Sequence, residues 1–307
     1  MEKVLVLGAT GRFGRAAVTA FEAAGWEVTR TARHWAQESA RHVAVDPADA
    51  AALSAVVQGH DVIVNALNPP YPAWSVEVPR LTHAVIAAAQ SSGATVMIPG
   101  NVYNYGAAMP ETLREDTPWA ATTRKGNIRI RMEGAYREAG VRTIVLRAGD
   151  FIEAAQSGNW FDTHIAAKAW QGQIMYPGPR NVAHAWAWLP DMARAMVGLA
   201  EKRTEFQTFE EFGFPGHTLT GDALIDAVAR AVGKKVRVRG MPWLAVRAMG
   251  LVSPLMREVA EMRYLWEVPH RIDGTKLARA LPDFEPTPVD AAIAAALAAW
   301  APGGQTD

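Results

Sequence analysis

The chain begins with the stretch Lys3-Val-Leu-Val-Leu-Gly8-Ala-Thr10-Gly11-Arg12-Phe13-Gly14, followed by an apolar-periodic run from Ala16 to Ala24. Consecutive apolar residues indicate a buried parallel strand, and the later run has the spacing of a helix. Gly8 lets the strand turn sharply, Gly11 lets a pyrophosphate approach the backbone, and Gly14 lets the helix pack closely on the strand. The helix N-terminus would then face the phosphates. The stretch predicts a dinucleotide-binding turn, with an ordinary glycine-rich βα turn as the alternative.

The residues after the second predicted strand, Glu27 to Ala32, indicate which dinucleotide would bind. A cofactor with a free ribose 2′-OH usually meets Asp or Glu at this point, whereas a 2′-phosphate needs a cation. Here the strand is followed by Arg33, and Arg12 lies within the glycine turn. Both arginines favour NADP over NAD. The alternative is that both are solvated loop side chains.

Composition limits the classes of protein to which the chain can belong. Half of its 307 residues are apolar, which allows a large core, and 31 basic residues balance 31 acidic ones. This neutral balance gives no attraction to nucleic acid or an anionic membrane. Cysteine is absent, and the eight histidines show no metal-ligand spacing, so we expect neither a disulfide nor a metal. The first strand begins at Lys3 and no apolar run reaches membrane-spanning length, so we expect a cytoplasmic protein.

Two further strand ends are predicted to border the cofactor, because ligands of parallel sheets lie beyond the carboxyl ends of the strands. A third strand, His42 to Val45, precedes Asp46, which either caps the next helix or touches the adenine edge. A fourth strand starts at Val62 and ends in a polar residue with small neighbours. The residues predicted to contact the cofactor here are Asp46, Asn65, Ala66 and Leu67.

The fifth predicted strand, Thr95 to Ile98, leads into a polar and aromatic segment that contains Asn101, Tyr103 and Tyr105. This segment follows a strand end, where substrate should bind, although it could equally be a surface loop with packing tyrosines. A later helix ends at Gly140 and places Lys125, Arg129 and Glu133 on one face. By itself, such a row indicates a solvated, ion-paired helix face.

These elements predict an α/β fold with a Rossmann-type, doubly wound parallel sheet and a smaller, mostly helical C-terminal part. Residues 1–153 would form the dinucleotide-binding domain, with 183–203 returning to it, and residues 154–307 would form the substrate-binding region. Four aromatic side chains of this region either shape a pocket for an apolar or ring-bearing substrate or only pack its core: Trp160, Phe161, Trp170 and Tyr176.

The order of these motifs resembles the short-chain dehydrogenase/reductase superfamily, in its extended and atypical branches, over most of the chain. The resemblance includes the G-x-x-G-x-x-G turn, Asp46, Asn65-Ala66 and the Tyr105-Gly106 pair. Further on, residues 145–151 look like the sixth strand of that family, and residues 188–193 look like a later strand-to-helix joint. The resemblance implies a nicotinamide cofactor and a hydride-transfer chemistry.

The chain departs from that family at the catalytic Tyr-x-x-x-Lys pair. Lys125 stands where the tyrosine belongs, Arg129 where the lysine belongs, and Asn101 near the usual serine or threonine. The Lys-x-x-x-Arg phrase is similar to isoflavone-reductase-like and NmrA-like members, in which a lysine beside the nicotinamide serves as general acid or base. The resemblance therefore implies Lys125 as proton donor, Asn101 and Tyr105 as orienting residues, and Tyr103 or Tyr105 as a substitute phenol.

The first hypothesis is an NADP(H)-dependent reductase that transfers a hydride to a small carbonyl or enone substrate. The alternatives are a non-catalytic NADP(H)-binding redox sensor and a nucleotide-sugar epimerase or dehydratase. We expect a small-molecule partner, no nucleic acid and no membrane, and leave a homodimer open. The complete set of predicted cofactor contacts is Gly8, Thr10, Gly11, Arg12, Phe13, Gly14, Arg33, Asp46, Asn65, Ala66, Leu67 and Lys125.

Overall fold

The computed structural model describes residues 1–35, 37 and 39–302, and within them a central parallel sheet organises the chain. The strands are β1 (Lys3–Leu7), β2 (Glu27–Ala32), β3 (His42–Ala44), β4 (Val62–Asn65), β5 (Thr95–Gly100), β6 (Thr112–Leu113), β7 (Thr143–Arg147), β8 (Asp150–Ile152), β9 (Gln173–Tyr176), β10 (Ala183–Trp188), β11 (Phe209–Gly213), β12 (His217–Thr220), β13 (Arg237–Gly240) and β14 (Arg271–Ile272). The central sheet has seven strands in the order β11-β7-β5-β4-β1-β2-β3, and every neighbouring pair is parallel. The predicted Rossmann-type fold class is therefore confirmed.

Helices cover both faces of this sheet. They are α1 (Arg12–Ala23), α2 (Ala50–Val56), α3 (Trp74–Ser92), α4 (Arg124–Glu138), α5 (Leu189–Glu201), α6 (Gly221–Val232), α7 (Trp243–Met249), α8 (Pro254–Glu261), α9 (Tyr264–Glu267), α10 (Thr275–Ala280) and α11 (Val289–Ala298). On β1, Val4 and Val6 pack into the core beneath α1 and α5, whereas Leu5 and Leu7 pack into the core beneath α3 and α4. Burial on both faces explains why this strand is an unbroken apolar run.

The second half of the chain adds a smaller layer around a third hydrophobic core. A three-stranded sheet with the order β12-β10-β8 packs there with α6 and α11, and two-stranded parallel pairs join β13 to β9 and β14 to β6. The predicted division of the chain differs from this arrangement. β10 belongs to the small sheet and only α5 of the segment 183–203 packs on α1, while β11 adds a seventh strand to the central sheet beside β7.

The segment from residue 241 to 267, here called the cover, packs through α8 against the short turn at Tyr71–Ala73. The cover contains three short helices, α7, α8 and α9. After α7, a new helix begins at Pro254, which occupies the first turn of α8. The Ser253 hydroxyl caps this helix by accepting the N–H of Met256. Among the residues described, no helix combines the length and apolarity needed to cross a membrane.

Candidate functional site

A single cleft of ≈1340 Å³ runs along the carboxyl ends of the central strands. One end of the cleft is formed by the glycine turn after β1, and its other end lies beneath the cover. Most of the predicted cofactor residues line it: Gly8, Thr10, Gly11, Arg12, Phe13, Arg33, Asp46, Asn65, Ala66 and Leu67. Position beyond the carboxyl ends of parallel strands is the usual location of a ligand in this fold class.

The glycine turn has the close backbone packing that its sequence predicted. Gly8 has φ +71°, and a Cβ added to Gly14 would lie 2.1 Å from the carbonyl oxygen of Gly8. Gly14 therefore does not contact the cleft but brings α1 close against the turn. The helix is preceded by Gly11, which has no side chain to cap the first N–H groups of α1, so these groups are available to an anion. This cradle fits the pyrophosphate of a dinucleotide.

Arg12 makes contacts that the sequence did not predict. Its guanidinium donates from Nε and Nη2 to the carbonyl oxygen of Ser157, at 3.1 and 3.0 Å. This side chain therefore connects the glycine turn to the loop between β8 and the aromatic segment. Arg33 is exposed at the end of β2 and also lines the cleft. Of the two predicted 2′-phosphate ligands, Arg33 is thus the one without a structural role of its own in the described contacts.

Asp46 and Asn65 both line the cleft, and each makes a hydrogen bond within the protein. Among the described residues, the carboxylate of Asp46 accepts one N–H, that of Ala48 at 3.0 Å, whereas Asp49 caps α2 by accepting from Ala51 and Ala52. The predicted cap at Asp46 was therefore three residues too early. Asn65 donates to the Tyr136 hydroxyl at 3.0 Å, which fixes its amide at the end of β4.

The structure places Lys125 outside the cleft, contrary to the role implied by the resemblance. Its side chain is fully buried, and Nζ donates to the carbonyl oxygen of Glu258 at 2.9 Å, to the Glu258 carboxylate at 2.7 Å and to Glu261. Burial lowers the pKa of Lys125, and the Glu261 carboxylate opposes this change. The ring of Tyr71, whose centroid lies 5.3 Å from Nζ, lines the cleft. Lys125 therefore anchors the cover, and these contacts do not support the role of proton donor.

Tyr105 also lies outside the cleft. Its buried hydroxyl is 3.2 Å from a Glu211 carboxylate oxygen, within a cluster in which Arg147 pairs with Glu211 at 2.6 Å and with Glu133 at 2.7 Å. The predicted helix face is thus internal rather than solvated, because Glu133 neutralises a buried arginine from β7. Asn101 does line the cleft, and its side-chain oxygen accepts the N–H of Tyr103 at 3.1 Å.

Two tyrosine hydroxyls meet at the middle of the cleft. Tyr71 and Tyr103 are hydrogen-bonded through their hydroxyl oxygens at 3.0 Å, and both rings line the cleft. Burial raises the pKa of Tyr103 well above its ordinary value and also raises that of Tyr71. Tyr71 was missed from the sequence, because it lies in a proline-rich segment that forms a short 3₁₀ turn before α3. No regular sequence spacing links Tyr71 to Tyr103, which lies 32 residues further along the chain.

Arg129 lies beside this pair and has an unused donor. It lines the cleft, donates from Nη2 to the Pro99 carbonyl oxygen at 3.0 Å, and interacts electrostatically with the Tyr103 phenol. Its Nε is buried and has no hydrogen-bond partner among the described residues. Such a group is costly unless a ligand satisfies it. A ribose hydroxyl of a nicotinamide cofactor is the kind of acceptor that would do so.

The cover end of the cleft is apolar, with a small polar group at its wall. The apolar side chains that line it are Trp160, Met241, Val246, Leu255, Met256, Val259 and Leu265. Asp150, His184 and His270 form the polar group. Of the aromatic residues singled out in the sequence, Trp160 lines the cleft while Phe161, Trp170 and Tyr176 are placed in the third core, so pocket and packing roles are divided among them.

Comparison with known proteins shows which proteins this chain resembles. The sequence profile of the NmrA-like family matches residues 1–276. A dTDP-6-deoxy-L-talose 4-dehydrogenase (NAD(P)(+)) of Kitasatospora kifunensis is 36% identical over 185 residues. That alignment covers 54% of this chain and 58% of the relative, which is less than two thirds of the relative's length.

Solved structures with the same fold include three epimerases. A putative epimerase from Burkholderia cenocepacia J2315 superposes with a TM-score of 0.79 at 18% identity, covering 97% of this chain and 98% of its own. A UDP-N-acetylglucosamine 4-epimerase from Bacillus cereus gives 0.77 at 15% identity, covering 100% and 98%. A UDP-glucose 4-epimerase from Bifidobacterium longum, in complex with NAD⁺ and UDP, gives 0.75 at 15% identity, covering 97% of each chain. At these identities the similarity concerns the fold.

Proposed function

Because the chain belongs to the NmrA-like family, we propose that it is an NAD(P)H-dependent oxidoreductase that reduces a carbonyl group on a small molecule. The observation that supports this function is the continuity of one cleft, which joins the glycine turn to the Tyr71–Tyr103 hydroxyl pair. The first feature suits a dinucleotide and the second suits proton transfer.

The residues of the cleft fit a nicotinamide dinucleotide along its length. The N-terminus of α1 would bind the pyrophosphate, and the unpartnered Nε of Arg129 would donate to a ribose hydroxyl. When bound in its reduced form, the cofactor would supply a hydride. Asn65 and Asn101 lie at the ends of β4 and β5 on the side of the cleft that leads towards Tyr103.

Tyr103 is the proposed proton donor, in place of Lys125. As hydride adds to the carbonyl carbon, the C=O π bond breaks and the oxygen takes the proton from the Tyr103 hydroxyl. The phenolate that forms is stabilised by the hydrogen bond from Tyr71 and by the charge of Arg129, and it regains a proton through Tyr71. Burial raises the pKa of Tyr103, so the phenol is protonated at neutral pH, as a proton donor must be.

The test of this role is Tyr103→Phe, with Tyr105→Phe as the matched control. Oxidation of NADPH or NADH would be followed with a panel of ketones, aldehydes and enones. We expect Tyr103→Phe to lower kcat by about 10²- to 10⁴-fold while cofactor affinity, measured by fluorescence titration, is unchanged. Tyr105→Phe should retain kcat and lose only about 1 kcal/mol of stability, since it removes a buried hydrogen bond remote from the cleft. Turnover of Tyr103→Phe equal to that of the wild type would contradict the proposal.

We further propose that Arg33 gives a preference for NADP(H). Its guanidinium is exposed at the end of β2, where a 2′-phosphate would lie. Arg33→Ala should weaken NADPH binding by about 10- to 100-fold, the loss of one charge-assisted hydrogen bond, and leave NADH binding unchanged. An equal effect on both cofactors, or none, would contradict this preference.

A nucleotide-sugar oxidoreductase or epimerase is the second candidate. It is favoured by the 36% identity to a dehydrogenase named for a dTDP-linked sugar. Such a substrate carries a diphosphate, which usually requires arginine or lysine. Of the described residues from Ala148 onward that line the cleft, none is Lys or Arg. Incubation with dTDP- and UDP-hexoses followed by NMR of the sugar separates the candidates, since an epimerised or oxidised sugar would favour the second.

The same assays distinguish the third hypothesis, a non-catalytic redox sensor, from both enzymes. A sensor would bind the cofactor with the expected dependence on Arg33 and show no turnover with any substrate class. Tyr103→Phe would then have no measurable effect, because no proton is transferred.

A further inference from the structure

Three polar side chains at the cover end of the cleft have no part in the chemistry proposed above. Asp150 and His184 lie on adjacent parallel strands, β8 and β10, and His270 precedes β14. Asp150 Oδ2 is 2.9 Å from His184 Nε2, and the centroids of the two histidine rings are 4.7 Å apart. Asp150 also interacts electrostatically with Tyr71 and Tyr103, so the group lies close to the proposed proton donor.

His184 is fully engaged by the protein. Its Nδ1 is 3.2 Å from the Leu265 carbonyl oxygen, and its Nε2 faces the Asp150 carboxylate. Both nitrogens therefore face oxygen atoms of the protein. The ring stacks on Trp266 with a centroid distance of 4.3 Å and an interplanar angle of 2°. These contacts fix His184 as part of the wall and leave it no polar atom for a ligand.

His270 has one polar atom that the protein does not use. Its Nδ1 is 2.9 Å from the Val268 carbonyl oxygen, so the ring proton of the neutral form lies on Nδ1. Burial, followed by the neighbouring His184, lowers the pKa of His270 to about 4. At neutral pH the ring is therefore uncharged and Nε2 is a hydrogen-bond acceptor. This atom is buried and has no partner among the described residues, although His270 lines the cleft.

The surroundings of His270 Nε2 limit which donor can reach it. The cover contributes apolar side chains to this part of the cleft, among them Met256, Val259 and Leu265. The described cleft residues from Ala148 onward include one acid, Asp150, and no Lys or Arg. Within the described chain, no three His, Asp or Glu side chains are arranged to hold a metal ion. These surroundings favour a neutral hydrogen-bond donor on a mostly apolar molecule.

We infer that His270 Nε2 accepts a hydrogen bond from a hydroxyl group of the substrate, which is a neutral, mostly apolar hydroxy-carbonyl compound. This inference rests on the proposed function, because the same molecule presents its carbonyl to Tyr103. The apolar body packs against the cover, and the hydroxyl satisfies an acceptor that would otherwise remain buried without a partner. An anionic or diphosphate-bearing substrate would lie beside the Asp150 carboxylate, and the cleft lining from Ala148 onward contributes no Lys or Arg to pair with it.

The inference is tested with matched pairs of small ketones. The probes are 2-, 3- and 4-hydroxycyclohexanone, each compared with the methylcyclohexanone substituted at the same position, in the presence of cofactor. The wild type should bind one hydroxy isomer about tenfold or more tightly than its methyl counterpart. His270→Gln, whose side-chain oxygen can accept in place of Nε2, should retain this preference, whereas His270→Phe should lose it. The same preference in His270→Phe, or none in the wild type, would overturn the inference.

A second measurement separates this inference from the proposed function. In protein labelled with ¹⁵N-histidine, the Nε2 resonance of His270 should move when the preferred hydroxy probe binds and stay unchanged with the methyl probe. His217→Phe serves as a control, because His217 lies on β12 outside the cleft lining. A shift without any ketone reduction would retain the inference and reject the reductase. Ketone reduction with neither a shift nor a hydroxyl preference would retain the reductase and reject the inference.

Discussion

The two ends of the cleft are built in different ways. The cofactor end is formed mainly by backbone from one continuous stretch, Gly8 to Gly14, whose function depends on the absence of side chains. The cover end is formed by side chains from segments far apart in the chain, such as Tyr71, Asp150 and His270. The comparison teaches that the cofactor end can be found in the sequence because its residues are contiguous, whereas the residues of the cover end meet only when the chain is folded.

The largest effect is expected at the cofactor end, from Gly14→Ala. The added Cβ would lie 2.1 Å from the Gly8 carbonyl oxygen, so the turn and α1 must move apart. We expect loss of measurable nucleotide binding by fluorescence titration. The matched control is Gly134→Ala, within α4, where an added Cβ meets nothing within 4 Å. This control should bind normally and gain roughly 0.5–1 kcal/mol of stability. Normal binding by Gly14→Ala would show that the close packing is dispensable.

The next effect is expected where the cover meets α4. Lys125→Met removes the buried partner of Glu258 and Glu261 and should lower the free energy of unfolding by about 3 kcal/mol, measured in urea. Adding Glu258→Gln should recover part of that loss, because it removes one of the two carboxylates that have lost the Lys125 charge. The chemical step should be nearly unaffected. A fall in kcat of about 10²-fold or more with unchanged stability would return Lys125 to the role of proton donor.

At the cover end, His270 should make stability depend on pH. Its pKa is about 4 in the folded protein and about 6.5 when unfolded, so the unfolded chain binds the proton first on acidification. The free energy of unfolding contributed by this residue is therefore present above pH 6.5 and is lost as pH falls towards 4, by roughly 3 kcal/mol in all. Urea unfolding at several pH values would measure the slope. His270→Phe should flatten it relative to the wild type, and an identical slope would refute the neutral buried ring.

The smallest effect concerns the two aspartates near the cofactor end. Asp49→Ala removes the cap of α2 and should cost about 1 kcal/mol in thermal unfolding, while Asp46→Ala should cost less because it accepts one N–H of a turn. Asp46→Ala should change nucleotide affinity more than Asp49→Ala does, since Asp46 and not Asp49 lines the cleft. The reverse order of stabilities would restore Asp46 as the cap.

The predictions that held were those that depend on local sequence. The glycine turn was identified because strand, turn and helix are contiguous and each has its own spacing. The cap of α6 is equally local, because Thr220 accepts the N–H of Ala223 three residues further along. The role of Lys125 could not be obtained in this way. Its partners lie 133 and 136 residues further along the chain, on a helix that no local pattern connects to α4.

The ion cluster of Glu133, Arg147 and Glu211 shows the same limit of prediction from local sequence. Spacing alone placed Glu133 on an apparently solvated helix face. In the structure Glu133 is buried and pairs with Arg147 on β7, which also pairs with Glu211 on β11. A charged residue is buried only when such partners exist, and their identity depends on which strands become neighbours. The position of β11 beside β7 was not foreseen, so neither was the burial of Glu133.

By itself, the sequence determined the parallel sheet, the family resemblance and the backbone cradle at Gly8 to Gly14, because strand burial and glycine geometry are encoded in neighbouring residues. Only the tertiary structure decided which side chains face the cleft. It brought Tyr71 to Tyr103, turned Lys125 towards the cover and left His270 Nε2 without a partner. Such pairings are fixed by long-range packing, where a rotation of one helix or the placement of one cover segment exchanges a catalytic side chain for a structural one.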